Sequence, residues 1–167
     1  METSQIRAVL AAVPLFAETL DERQLDHLAA QCNFVIFPPE AVMIAEGDFA
    51  DAMFVIAAGQ VEVTLHDSHG GEHQVAVLGA GDVVGEMALF TGLRRSATTV
   101  ARSEVEAIEI TKVAFEDMFA RTPDLIDRFS PVLAKRQSEL DQIAAEAEAD
   151  ATAMGARIRR FFGLGSR

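Results

Sequence analysis

The middle of the chain is cut into short pieces. Pro38-Pro39, Gly47-Asp48, Gly59, Gly70-Gly71, Gly79, Gly81, Gly85 and Gly92 separate β-prone runs at 34–37, 42–44, 53–57, 61–65, 74–78, 97–101 and 105–110, a turn signal about every ten residues. Runs this short, closed by Gly and Pro, fold as antiparallel strands joined by tight turns, so a sandwich, roll or barrel is expected. Val61, Val63 and Leu65 alternate with Glu62 and Thr64, and Ile108 and Ile110 flank Glu109. That period of two marks strands buried on one face. Gly70-Gly71 predicts a hairpin turn.

Helical periodicity brackets this region. Ile6, Val9, Leu10 and Val13 predict a short helix ending near Pro14. Thr19 with Glu22 reads as a capping box ahead of Leu25, Leu28 and Ala29, a second helix running to about Cys32. After Thr111, a candidate cap, Val113, Phe115, Met118 and Phe119 predict a helix closed near Thr122-Pro123. Then Leu125, Phe129, Val132, Leu133, Arg136, Leu140, Ile143 and Ala147 step by three or four along one long amphipathic helix. Pro131 interrupts it and predicts a hinge near Ser130. The expected organisation is a helical segment at 1–32, a β-roll at 33–111, helices at 112–150 and a basic, aromatic tail at 151–167. The fold class is α+β, mainly β: an antiparallel, jelly-roll-like β-roll with N-terminal helices and a C-terminal lid helix.

Composition narrows the function. Among 167 residues, 14 Lys plus Arg face 26 Asp plus Glu, a net charge of −12. A polyanion meets a repulsive field, so nucleic acid is not an expected partner of this stretch. The longest uncharged apolar run, Ala52–Ala58, is far short of the roughly 18 residues a membrane helix needs. No charged-then-apolar leader follows Met1, and Cys32 has no cysteine to pair with, so a cytoplasmic setting is expected.

The stretch at 81–97 carries the chemistry. Gly85 allows positive φ or a close backbone approach to a ligand. Glu86 to Phe90 supplies about one helical turn, whose free N–H groups attract an anion. Ten residues after Gly85 comes Arg95, followed by Ser96 and Ala97. Its planar fork suits phosphate. Glu86 is unsuited to phosphate but can accept from a sugar hydroxyl. The parts together read as a site for a sugar phosphate carrying one negative charge, although each part alone is an ordinary turn or strand start.

Gly85-Glu86-Met87-Ala88-Leu89, a variable link and Arg95-Ser96-Ala97 resemble the phosphate-binding cassette of cyclic nucleotide-binding domains, Gly-Glu-x-Ala-Leu followed by Arg-x-Ala. Val13-Pro14-Leu15-Phe16, Gly47-Asp48, Gly59-Gln60-Val61-Glu62-Val63 and Gly79-Ala80-Gly81-Asp82 extend the resemblance over about 10–140. It implies cAMP or cGMP as ligand and no other cofactor, with Arg95 on the cyclic phosphate and Glu86 on the ribose 2′-hydroxyl. It places the N–H groups of Met87 and Ala88 at the phosphate, and Ser96 and Ala97 beside it. It brings Leu133 and Arg136, or Gln137, from the lid helix toward the purine. In the family a small apolar residue after the arginine goes with cAMP and a Thr favours guanine; Ser96 lies between, which favours cAMP and leaves cGMP open. Val84 stands where the family usually has Phe, so looser packing under the cassette is expected.

The implied activity is sensing, with no bond broken and no catalytic residue. The effector would be reached through the lid helix, and a homo-oligomer is compatible with it. The tail at 156–164 resembles the C-terminus of bacterial cyclic nucleotide-regulated channels of the small-conductance mechanosensitive class. That implies an ion channel as effector, a place on the cytoplasmic face of a bacterial inner membrane, and membrane contact only through the effector. A transcription factor of the catabolite activator type needs roughly 60 more residues for its helix-turn-helix, and 17 follow Asp150. A cupin-like enzyme would need a His-x-His pair, which is absent. A stand-alone or oligomerising roll with a vestigial site would leave the Arg95 charge uncompensated. His66, His69 and His73 near Asp67 and Glu72 match no zinc spacing and read as a solvated hairpin.

Overall fold

The computed structural model describes the backbone of residues 1–161, and side chains through 142 and at 145. The elements are α1 (Thr3–Ala11), α2 (Pro14–Ala17), α3 (Glu22–Gln31), β1 (Asn33–Phe37), β2 (Val42–Ile44), β3 (Ala52–Ala58), β4 (Val61–His66), β5 (Glu72–Leu78), β6 (Val83–Val84), α4 (Glu86–Thr91), β7 (Thr98–Ala101), β8 (Val105–Thr111), α5 (Lys112–Arg121) and α6 (Leu125–Phe161). Two four-stranded antiparallel sheets form, β1-β8-β3-β6 and β2-β7-β4-β5. This is the expected β-roll with flanking helices.

Two cores divide the hydrophobic residues, and β3 and β8 belong to both. Phe54, Ile56, Val105 and Ala107 join Ile44, Val61, Val84 and Ala101 between the sheets. Met53, Val55, Ile108 and Ile110 point the other way, onto Leu10, Phe16, Leu28, Phe115 and Phe129 of the helices. A strand covered on both faces reads as an unbroken apolar run, which is why 52–58 is the longest in the sequence. Val84 is buried in the inter-sheet core. Cys32 donates its Sγ–H to Leu28 O, and burial pushes its thiol up to about 12.

Four expectations are corrected. The capping box of α3 is Asp21 with Gln24, not Thr19 with Glu22: Asp21 Oδ1 accepts from Gln24 N at 2.8 Å, and Gln24 Oε1 accepts from Asp21 N at 2.9 Å. Thr19 has turned its hydroxyl back to donate to Leu15 O at 2.5 Å, the local bond by which threonine competes with capping. Along β4 burial does not simply alternate: Thr64 is buried while Val63 and Leu65 are half-buried, and the β4–β5 register shifts beside them, where β5 carries an extra residue, Val75. The Gly70-Gly71 hairpin is wider than a two-residue turn, since Asp67 N donates to Gly71 O and Asp67 Oδ1 accepts from the N–H groups of His69 and Gly71. Finally, α6 runs through Pro131 unbroken. Proline removes the bond from its own nitrogen to Asp127 O, and the flanking turns carry the helix through; the Ser130 hydroxyl donates to Ile126 O at 2.7 Å.

On the hairpin, His66 Nδ1 lies 2.5 Å from Glu46 Oε2 and His73 Nε2 lies 2.8 Å from Asp67 Oδ2. Among the described residues no group of three His, Cys, Asp or Glu side chains is placed to hold a metal ion. The channel-like stretch at 156–164 lies outside the residues whose side chains are described. No helix among the described residues is long and apolar enough to cross a membrane.

Candidate functional site

The cassette begins where β6 meets α4. Gly85 sits at the N-terminus of α4 with φ +81°, a left-handed conformation that glycine takes without steric cost. A Cβ at that position would also collide with Arg95 Nη1 and Ile44 Cδ1. Gly85 therefore permits both the turn and the close approach of the arginine.

Backbone bonds to the 47–48 turn fix Arg95. Its N–H donates to Asp48 O at 2.7 Å, and Gly47 N donates to Arg95 O at 2.8 Å. The side chain is 7% exposed. Nη1 donates to Gly85 O at 2.7 Å and Nη2 to Ala52 O at 2.5 Å. Among the described residues no carboxylate lies within ion-pair distance of this guanidinium. Burial lowers its pKa from the ordinary value, while the charges of Asp51, Asp48 and Glu86 act in the other direction. Arginine does not deprotonate in proteins, so a buried cation faces the site without a paired anion. A neighbour extends the positive surface: Arg94 donates to Gly47 O and stacks over the Phe49 ring at 4.7 Å.

Glu86, at the start of α4, is 4% exposed. Its Oε1 accepts from Arg136 Nε of α6 at 2.9 Å, and Arg136 Nη1 is 3.9 Å from Glu139 Oε2. This pair ties α6 across the cassette. On one side is a cavity of about 90 Å³ whose lining includes Gly85, Glu86, Met87, Ala88, Arg95, Ser96, Ala97 and Arg136. On the other is a cleft of about 340 Å³ between α2 and α6, which Glu86 and Arg136 also border.

Eight of the nine residues singled out from the sequence thus line one cavity. Leu133 does not. It borders the larger cleft, packed toward the helical core, and Leu140 takes the place on the cassette side. Gln137 donates to Asp141 along the helix and lines neither space. Sequence reasoning missed Ile44, Val63, Leu78 and Thr99, which wall the cavity from the β2-β7-β4-β5 sheet. Only strand register brings them together. It also missed Ala52, whose carbonyl holds Arg95, because a backbone acceptor leaves no mark in sequence. Leu140 was legible as part of the apolar stripe of α6, seven residues beyond Leu133, but not its facing.

Phe90 of α4 packs 4.7 Å from Phe115 of α5 and 5.7 Å from Phe129 of α6, between ring centroids. The cassette helix is thereby coupled to the C-terminal helices by aromatic contact.

Comparison with known proteins identifies the family. The chain is 31% identical over 113 residues to the cAMP-activated global transcriptional regulator CRP of Salmonella typhimurium, covering 67% of this chain and 54% of that protein. It is 34% identical over 129 residues to a cyclic nucleotide-gated potassium channel of Rhizobium etli, covering 77% of this chain and 34% of the channel. The chain thus spans about half the length of the regulator and a third of the channel. Among solved structures, the Thermus thermophilus catabolite activator protein superposes with a TM-score of 0.67 at 26% identity, over 84% of this chain and 63% of that one. The regulatory domain of Toxoplasma gondii PKA, co-crystallised with cAMP, gives 0.65 at 26% identity over 70% and 44%. Residues 34–122 match the cyclic nucleotide-binding domain, and the chain belongs to that family.

Proposed function

We propose that this chain is a sensor for a 3′,5′-cyclic purine nucleotide, cAMP in the first instance with cGMP as the competing ligand. The observation that carries this reading is Arg95: a buried guanidinium bordering a cavity, held by two carbonyls and paired with no carboxylate among the described residues. A buried unpaired charge is costly, and a monoanionic ring phosphate supplies the missing partner through charge-assisted bonds. Glu86 lies next to it and accepts from sugar hydroxyls. Met87, Ala88, Ser96 and Ala97 shape the phosphate seat.

Signalling follows as a population shift. A ribose hydroxyl on Glu86 competes with Arg136, and loss of that ion pair frees α6 from the cassette. Phe90 carries displacement of α4 to α5 and α6 in the same step. The chain acts by binding and movement and breaks no bond. The effector is proposed to be a bacterial ion channel, placing the domain at the cytoplasmic face of the membrane. The Rhizobium etli channel relative and the channel-like tail sequence support this. The likeness to CRP supports a transcriptional regulator as the second reading. In that case DNA contact falls to other parts of the protein, because this stretch carries a net −12.

Calorimetric titration with each nucleotide tests the sensor reading. Micromolar or tighter binding is expected for at least one, about −8 kcal/mol. Arg95→Ala is expected to weaken it by about 2 kcal/mol, roughly 30-fold. Absence of both heat and thermal shift with the two nucleotides would defeat the proposal.

A further inference from the structure

One wall of the cassette cavity carries a hydroxyl that the fold does not use. Ile44 of β2, Thr99 of β7 and Val63 of β4 lie side by side in direct register, and all three line the cavity. Leu78 and Leu140 extend the same aliphatic surround. Thr99 is 4% exposed, and its Oγ1 is buried without a hydrogen-bond partner among the described residues. Its neighbour Thr98 is different: that hydroxyl accepts from Glu46 N at 3.0 Å. Thr64 also has an unpartnered buried hydroxyl but does not line the cavity.

A buried hydroxyl without a partner destabilises the fold. Valine has the same shape, is at least as good a strand former, and would complete the Ile44–Val63 row without that cost. Nothing in the packing therefore calls for threonine at this position. A ligand does. We infer that Thr99 is a ligand-contacting, specificity-determining residue whose hydroxyl hydrogen-bonds the polar edge of the purine. The inference rests on the sensor reading of the cavity. With phosphate on Arg95 and ribose on Glu86, the flat base lies against the aliphatic row of the sheet, and Thr99 is the polar side chain within that row. A hydroxyl both donates and accepts, so it can read a ring nitrogen or an exocyclic group.

The test compares wild type, Thr99→Val and Thr99→Ser by calorimetry with cAMP and cGMP, and by thermal melting without ligand. Thr99→Val is expected to melt higher than wild type yet bind the preferred nucleotide about tenfold more weakly, the loss of one hydrogen bond. Thr99→Ser keeps the hydroxyl and is expected to bind within about twofold of wild type. The two nucleotides differ only in their purine edges, so the Thr99→Val loss is expected to differ between them. Equal losses would put the hydroxyl on the sugar phosphate and overturn the assignment. Unchanged or tighter binding by Thr99→Val overturns it too, while wild-type binding leaves the sensor reading standing. A wild-type chain that binds neither nucleotide removes the sensor reading and the inference with it.

Discussion

Gly85 and Arg95 act as one unit, because the arginine donates to the carbonyl of the residue whose missing side chain makes room for it. Gly85→Ala meets both a left-handed φ and a collision with Arg95 and Ile44. It is expected to cost about 2 kcal/mol of stability by urea unfolding and to weaken nucleotide binding with it. Acid acts at other residues. Asp117 is held down to about 2 from 3.8, first by His27, then by Gln31 and Arg121. Asp67 is likewise held to about 2, first by His73, then by the backbone N–H groups of Gly71 and His69. A carboxylate whose folded pKa is depressed stabilises above its unfolded value and loses that contribution as pH falls through the folded one. The urea midpoint is therefore expected to fall between about pH 4 and pH 2, and Asp117→Asn is expected to flatten part of that fall. At this scale the sequence named Gly85, Glu86 and Arg95, since the motif fixes residue type and spacing. It could not name the Ala52 carbonyl, the Arg136 partner of Glu86 or the bare hydroxyl of Thr99, which arise from contacts between distant segments.

The long helix shows how far local signals reach at the scale of an element. The apolar stripe of α6 predicted its extent, but Pro131 predicted a hinge that is not there. Proline removes one backbone donor and crowds the preceding turn. Packing of Leu125 and Phe129 in the helical core holds the helix through it. Pro131→Ala restores the donor and is expected to stabilise the chain by about 1–3 kcal/mol, read as a higher melting temperature and slower amide exchange in 126–136. An unchanged melting temperature would mean that the fold already absorbs the full cost. The strands were legible for a related reason. Each is short, and most have Gly or Pro near at least one end, so those ends are local. The two-residue β6 escaped because a pairing of Phe54 with Val84 and Val55 with Val83 is set by β3 alone.

In the whole molecule the cassette lies where the inter-sheet core, the helical core and α6 meet. The Glu86–Arg136 pair and Leu140 keep the cavity at about 90 Å³, while sites for small molecules typically span about 300 Å³ or more. A nucleotide bound as proposed is therefore expected to move α6. Ligand at about 100 times its Kd is expected to stabilise the chain by about 2.7 kcal/mol, raising its melting temperature by roughly 5–10 °C. A distance measured between labels at Val77 and Glu139 is expected to change on the same titration, and a constant distance would mean that the cavity opens without α6. The sequence by itself determined the strand-rich middle, the helical ends and the residues proposed to seat a phosphate, because these follow from periodicity, turn chemistry and a short motif. Tertiary structure alone decided that Leu140 rather than Leu133 faces the cassette, that Arg136 reaches Glu86, and that Ile44, Thr99 and Val63 share a wall. Those outcomes depend on helix rotation and strand register, which are fixed by burial summed over both cores and not by any local run of residues.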